Sequence, residues 1–86
     1  MKAHVLDARR RESTAGHVRV AILVPKLRFS AVRRNRLKRR LRELARRLLV
    51  PIPASYDLLL RARREAYDAS FERLHADVGR IAAQLS

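Results

Sequence analysis

Two stretches of the chain repeat apolar residues at helical spacing. Leu37, Leu41, Leu44 and Leu48 recur at i, i+4, i+7 and i+11, which puts them within about 60° of one another on an α-helix. Ser30 precedes this run as a hydroxyl N-cap, and Pro51 and Pro53 stop it, so the pattern predicts a helix over residues 31–49. Phe71, Leu74, Val78, Ile81 and Leu85 follow the same rule further on and predict a second amphipathic helix, capped by Ser70. Gly79 inside that helix costs roughly 1 kcal/mol relative to alanine.

The remaining apolar runs are short. Residues 18–24, Val-Arg-Val-Ala-Ile-Leu-Val, are β-branched and almost continuously apolar, the pattern of a buried strand, and Pro25 ends them. Residues 56–63 follow two prolines and predict a second central strand. Residues 4–9 predict a short strand, residues 10–17 a polar turn or hairpin loop, and residues 64–69 a loop or short helical turn. The order strand, strand, helix, strand, helix implies one α+β domain over residues 1–86. In it a small sheet of about three to four strands packs with two helices as a two-layer sandwich.

Charge changes this picture most. The chain of 86 residues carries 21 Lys and Arg against 8 Asp and Glu, a formal net charge of +13. A folded unit with that excess repels itself unless an anion lies near, and nucleic acid is the commonest such partner. Eighteen of the cations are Arg and three are Lys, and Arg presents a planar fork of donors suited to phosphate oxygens. Cys is absent, which excludes disulfides and thiolate zinc sites. No apolar run approaches the roughly 20 residues of a membrane span. The start, Met1-Lys2-Ala3-His4, has no apolar signal core, so a cytoplasmic protein without a membrane partner is expected.

The cations concentrate on the first predicted helix. Seven of the ten residues 33–42 are Arg or Lys. On a helical wheel Arg36, Arg40 and Arg47 flank the leucine stripe on one side, and Arg34, Lys38 and Arg42 flank it on the other. Asn35, Arg39 and Arg46 point directly away. Like charges at i and i+4, such as Arg36 with Arg40, destabilise a free helix by a few tenths of a kcal/mol per pair. Phosphates along the face relieve that repulsion. A purely solvated face would carry both signs of charge, and a membrane-surface helix would carry Trp or Phe on its apolar stripe. Nucleic-acid contact therefore accounts for the helix best, with Arg33, Arg40 and Arg46 among the candidate contacts.

Other candidate chemistry is sparse. His4, His17 and His75 lack metal-ligand spacing, and no Ser-His-Asp arrangement or glycine-rich phosphate loop is present, so no catalytic or metal-binding residue is expected on the protein. Asp57, at a strand start, suits water-mediated metal binding, capping of a turn or pairing with a nearby Arg. Tyr56 and Tyr67 suit either stacking on single-stranded RNA or packing at the sheet edge.

The run Ala31-Val32-Arg33-Arg34-Asn35-Arg36-Leu37-Lys38-Arg39-Arg40-Leu41-Arg42-Glu43 resembles the signature of the bacterial ribonuclease P protein component, Ala-Val-x-Arg-Asn-Arg-x-Lys-Arg followed by Arg-Glu. The strand before it, with Lys26 just after, and the aspartate-led run Tyr56-Asp57-Leu58-Leu59-Leu60 resemble the same family, so the likeness covers residues 18–85. It implies a two-layer sandwich of ribonuclease P protein type. Family members usually begin with a further helix, and the strand at 18–24 comes too early here for one, so the fold is expected without it. The likeness also implies a protein subunit of an endoribonuclease whose catalysis, with its Mg2+, belongs to an RNA subunit, with no cofactor on the protein. The implied partners are that catalytic RNA and precursor tRNA, whose 5′ leader is removed, with the protein a monomer in the ribonucleoprotein. Carried over, Arg34, Asn35, Arg36, Lys38, Arg39 and Arg42 are the expected RNA contacts. The loop before the motif, usually Ser-Lys-Lys-x-Gly, reads Pro25-Lys26-Leu27-Arg28-Phe29. Lys26 and Arg28 are its candidate contacts, with Arg28 standing in for the second Lys, and Phe29 suits either base stacking or packing on the sheet. The alternative reading is a general RNA- or DNA-binding module with no part in tRNA cleavage.

Overall fold

The computed structural model describes residues 4–26 and 30–85. Strands β1 (Leu6–Glu12) and β2 (Arg19–Leu23) precede helix α1 (Ala31–Leu48). Strand β3 (Tyr56–Ala62), a 3-10 turn (Arg64–Asp68) and helix α2 (Phe71–Leu85) complete the chain. The sheet order is β1-β3-β2, with β3 antiparallel to β1 and parallel to β2. A parallel pair needs a crossover, and α1 supplies it.

Both helices begin where the hydroxyl caps placed them. Ser30 Oγ accepts from the Arg33 amide at 3.2 Å, and Ser70 Oγ accepts from the Arg73 amide at 3.1 Å. α1 closes at Leu49, whose amide donates to Ala45 O at 2.9 Å before Pro51 forbids another turn. Leu37, Leu41 and Leu44 are buried on α1 with Ala45, and Leu74, Val78, Ile81 and Leu85 are buried on α2. They meet Leu6, Leu58, Leu60 and Ala62 of the sheet in one aliphatic core. Each Leu, Ile or Val side chain among them contributes about 1.5–3 kcal/mol when fully buried. α1 packs over β2 and α2 over β1, which covers one face of the sheet.

Several expectations are corrected. Residues 10–12 belong to β1, whereas the sequence pattern assigned them to a loop. This Arg-rich strand forms because β3 pairs with its whole length, and tertiary pairing overrides its weak intrinsic preference. No hairpin joins β1 and β2, because β3 lies between them. The connection instead wraps the start of β3. Ser13 N donates to Ser55 O at 3.1 Å, Ser55 Oγ donates to Ser13 O at 2.5 Å, and Gly16, at φ +85°, donates its amide to Ser55 Oγ at 3.0 Å. Glycine enters that left-handed conformation at no steric cost. β2 is an edge strand and not a buried one: Arg19, Ala21 and Leu23 are exposed, Leu23 by 50%. Its continuous apolar run conceals an alternation in which Val20 and Ile22 face the helices. Phe71, placed on the buried stripe by its spacing, is 41% exposed beside the His75 ring.

One buried acid ties the layers together. Asp77 of α2 is 5% exposed, and its Oδ2 accepts from the Val5 and Leu6 amides at 2.7 and 3.2 Å. Arg80 Nη2 donates to Leu6 O at 3.3 Å. Together these satisfy the outer backbone groups where β1 begins, which an edge strand otherwise leaves unpaired. On the far side of the sheet Asp7 accepts from Arg63 at 2.8 and 3.0 Å, and Asp57 accepts from Arg19 and Arg11. The Arg63 hydrogen bonds hold the Asp7 carboxyl below its ordinary value, and those from Arg19 do the same for Asp57.

Two outcomes are expected. A Cβ at Gly79 would meet nothing within 4 Å. Gly79→Ala therefore stabilises by about 1 kcal/mol and raises the melting temperature by about 4–8 °C in a thermal melt. Carboxyls whose folded pKa lies below the unfolded value stabilise above the unfolded value, and that contribution disappears as pH falls through the depressed one. These two are solvent-accessible, so salt screens the effect. In low-salt melts an Asp7→Asn/Asp57→Asn variant should lose less stability on acidification below about pH 4 than the parent. Parallel curves would remove the ion pairs from the acid response.

Candidate nucleic-acid interface

The buried leucine seam fixes the rotation of α1 and so decides which cations face water. Asn35, Arg36, Arg39, Arg40, Arg42 and Arg46 are exposed, while Arg34 and Lys38 on the flank are half-buried. Among the described residues the ion pairs of the helix involve its first-turn Arg33 and its last-turn Arg46 and Arg47. Glu43 Oε1 accepts from Arg46 Nη2 at 2.7 Å and from Arg47 Nε at 2.8 Å, and the Arg46 hydrogen bond holds its carboxyl below the usual range. Arg33 Nη2 lies 3.1 Å from Asp68 Oδ1, and its guanidinium sits 5.7 Å from the Tyr67 ring centroid. Between those ends Arg34, Arg36, Lys38, Arg39, Arg40 and Arg42 make no ion pair among the described residues. Arg34 Nε is also out of solvent without a hydrogen-bond partner.

The structure thus brings the helical candidates onto one rod about 27 Å long. Arg33 and Arg46 share their charge with Asp68 and Glu43. Lys26 is exposed just after Pro25, whose carbonyl accepts from Tyr67 Oη at 2.6 Å and so fixes where the loop leaves β2. That bond and the Arg33 contact make Tyr67 part of the packing beside α1. Arg28 and Phe29 lie outside the described residues. Tyr56 is half-buried under the Arg10 guanidinium, 5.0 Å from its ring centroid.

A second basic surface was missed in the sequence. Alternation along the strands leaves Asp7, Arg9, Arg11, Arg19, Ala21, Leu23, Asp57, Leu59 and Arg61 on the face the helices do not cover. The register stacks them in three rows: Arg11-Asp57-Arg19, Arg9-Leu59-Ala21 and Asp7-Arg61-Leu23. Leu59 is 38% exposed at the centre, and a shallow cavity of about 510 Å³ lies over the first two rows. The sequence signal was Arg at positions 9, 11, 19 and 61, and cations scattered over separate segments reveal no shared face until the strands are paired. For Asp57 the pairing alternative holds, since its carboxylate is occupied by two guanidinium groups. Among the described residues no three His, Asp or Glu come together in a metal-binding group. The molecule therefore shows two basic surfaces on opposite sides of its sheet, a convex helical one and a flat one with an apolar floor.

Comparison with known proteins agrees with this architecture. The family model described as Ribonuclease P matches residues 2–86. The ribonuclease P protein component of Thermus brockianus is 47% identical over 66 residues, which cover 77% of this chain and 39% of that protein. The chain thus spans about two fifths of the length of the curated relatives it matches. Among solved structures, the RNase P protein of Thermotoga maritima superposes with a TM-score of 0.84 at 22% identity, covering 100% of this chain and 84% of that one. The Staphylococcus aureus RNase P protein gives 0.77 at 23% identity, covering 100% and 82%. These structures share the fold, and the family match over nearly the whole sequence shows that the chain belongs to the ribonuclease P protein family.

Proposed function

We propose that the chain acts as the protein subunit of ribonuclease P, binding the catalytic RNA through α1 and assisting removal of the 5′ leader from precursor tRNA. The observation that carries this reading is the run of six cations on α1 with no carboxylate partner among the described residues. Asn35, exposed in their midst, both donates and accepts, and suits a base edge or a 2′-hydroxyl. The relatives named as ribonuclease P protein components support the same assignment.

The chemistry of bond cleavage belongs to the RNA and its Mg2+ in this reading. The protein's part is electrostatic. Guanidinium groups against RNA phosphates release condensed counterions and lower the repulsion between RNA segments that must come together. The second basic face, across the sheet from α1, is where a single-stranded leader would lie, with phosphates on arginines and bases against Leu59 and Ala21. One protein can then hold catalytic RNA and leader on opposite sides. It works as a monomer, in the cytoplasm.

Because the protein substitutes for cations, its effect is greatest when Mg2+ is scarce. Added to its cognate RNA, the chain should raise precursor tRNA cleavage strongly at low magnesium and little at high magnesium. Cleavage unchanged at every magnesium concentration would refute the assignment and leave a general nucleic-acid-binding module. Arg36→Ala and Arg39→Ala should each weaken binding to the catalytic RNA and reduce the slope of log affinity against log salt by about one unit. Slopes equal to the parent's would show that neither side chain meets a phosphate.

A further inference from the structure

The row Arg11-Asp57-Arg19 crosses all three strands at one level, since Arg11 and Arg19 are both register partners of Asp57. The carboxylate grips Arg19 side-on, with Nε 2.7 Å from Oδ1 and Nη2 3.0 Å from Oδ2. Arg11 Nη2 reaches the same Oδ2 at 3.3 Å. Ser13 Oγ lies 3.5 Å from Arg19 Nη2 and restrains that group from a second side. The Asp57 side chain is only 25% exposed, while those of Arg11 and Arg19 are 82% and 57% exposed. The acid therefore lies beneath two guanidinium groups that converge on one of its oxygens and keep donors turned to solvent. The next row along the sheet is the apolar step of Leu59 and Ala21.

We propose that Asp57 is a positioning residue that builds a phosphodiester clamp from Arg11 and Arg19, with the neighbouring nucleobase of a single-stranded RNA resting on Leu59 and Ala21. The proposal rests on the reading of this face as the leader surface. A mobile Arg spends conformational entropy on every contact, and a guanidinium already held in its plane spends less. Arg19 uses its Nε–Nη2 edge on the carboxylate, and Nη1 stays available to a phosphate oxygen. Arg11 contributes further donors from the opposite side. The apolar floor selects a single strand, because a base can lie flat on it only when unstacked from a duplex.

The clamp makes a prediction whose sign is opposite to that of simple electrostatics. If the face attracted RNA by charge alone, removal of any carboxylate from it would tighten binding. If Asp57 positions the arginines, its removal weakens binding although the face becomes more positive. Asp7, on the same face, supplies the control: the one guanidinium it grips, that of Arg63, lies past the end of β3 and outside the cavity over Leu59 and Ala21, so it takes no part in the clamp.

The test is fluorescence anisotropy with a short labelled oligouridylate at low salt, on the full chain with Arg36 and Arg39 already replaced by alanine to suppress binding at α1. Asp57→Asn should weaken binding about fivefold, and Arg19→Lys, which keeps the charge but loses the side-on fork, should do the same. Asp7→Asn should tighten it. Tightening by Asp57→Asn comparable to that by Asp7→Asn, or parental affinity in Arg19→Lys, would overturn the clamp. Should circular dichroism find Asp57→Asn unfolded, Arg19→Lys decides alone. The assay contains no catalytic RNA, so a failure to stimulate precursor cleavage would sink the subunit assignment and leave this result standing. Stimulated cleavage with unweakened oligouridylate binding in the variants would sink only the clamp.

Discussion

Carboxylates are scarce in this protein, and their placement controls its surface. Eight acids stand against twenty-one Lys and Arg, so a large positive excess goes uncancelled whatever the fold. Where the acids go then decides where positive charge survives. Asp77 is spent on backbone amides under α2, Asp7 on Arg63, Glu43 on the last turns of α1, and Asp68 on its first turn. None meets the middle of α1. The helix there stays cationic because its leucine seam, and not ion pairing, holds it in place.

The same constraint explains why the helix tolerates its own repulsion. An isolated peptide with these like-charged i,i+4 neighbours would be a poor helix. Leu37, Leu41, Leu44 and Leu49 are almost completely withdrawn from water, and their burial outweighs a few tenths of a kcal/mol per unfavourable pair. The charge excess is then carried at a small cost in stability and remains available to a polyanion. The α1 surface owes its strength to this separation of tasks: packing on one side of the helix, electrostatics on the other.

The sheet applies the division a second time. β3 is the central strand, and its even-numbered residues, Leu58, Leu60 and Ala62, enter the core, while Asp57, Leu59 and Arg61 face outward. Pairing with β1 on one side and β2 on the other sets cations from three distant segments in register. Asp57 lies where two of those cations meet. An acid in that position lowers the local charge, and what the structure gains for it is order in two long side chains.

Helix positions, both hydroxyl caps, the leucine seam and the cationic character of α1 were all legible in the sequence. So was the family, through the ordered run from Ala31 to Glu43. These features depend on residues within a few turns of one another, where 3.6-residue periodicity and capping chemistry operate without help from the rest of the chain. The extent of β1, the edge position of β2, the buried role of Asp77 and the basic sheet face were not legible. Each depends on which strand lies beside which. A stretch such as Arg9-Arg10-Arg11 becomes a strand only because β3 offers it a partner, and Asp77 finds its amides 72 and 71 residues away. Local spacing determined how the chain coils and where its charge is densest. Only long-range pairing decided which scattered residues share a surface, because β-sheet contacts form between segments whose separation in sequence carries no periodic signal.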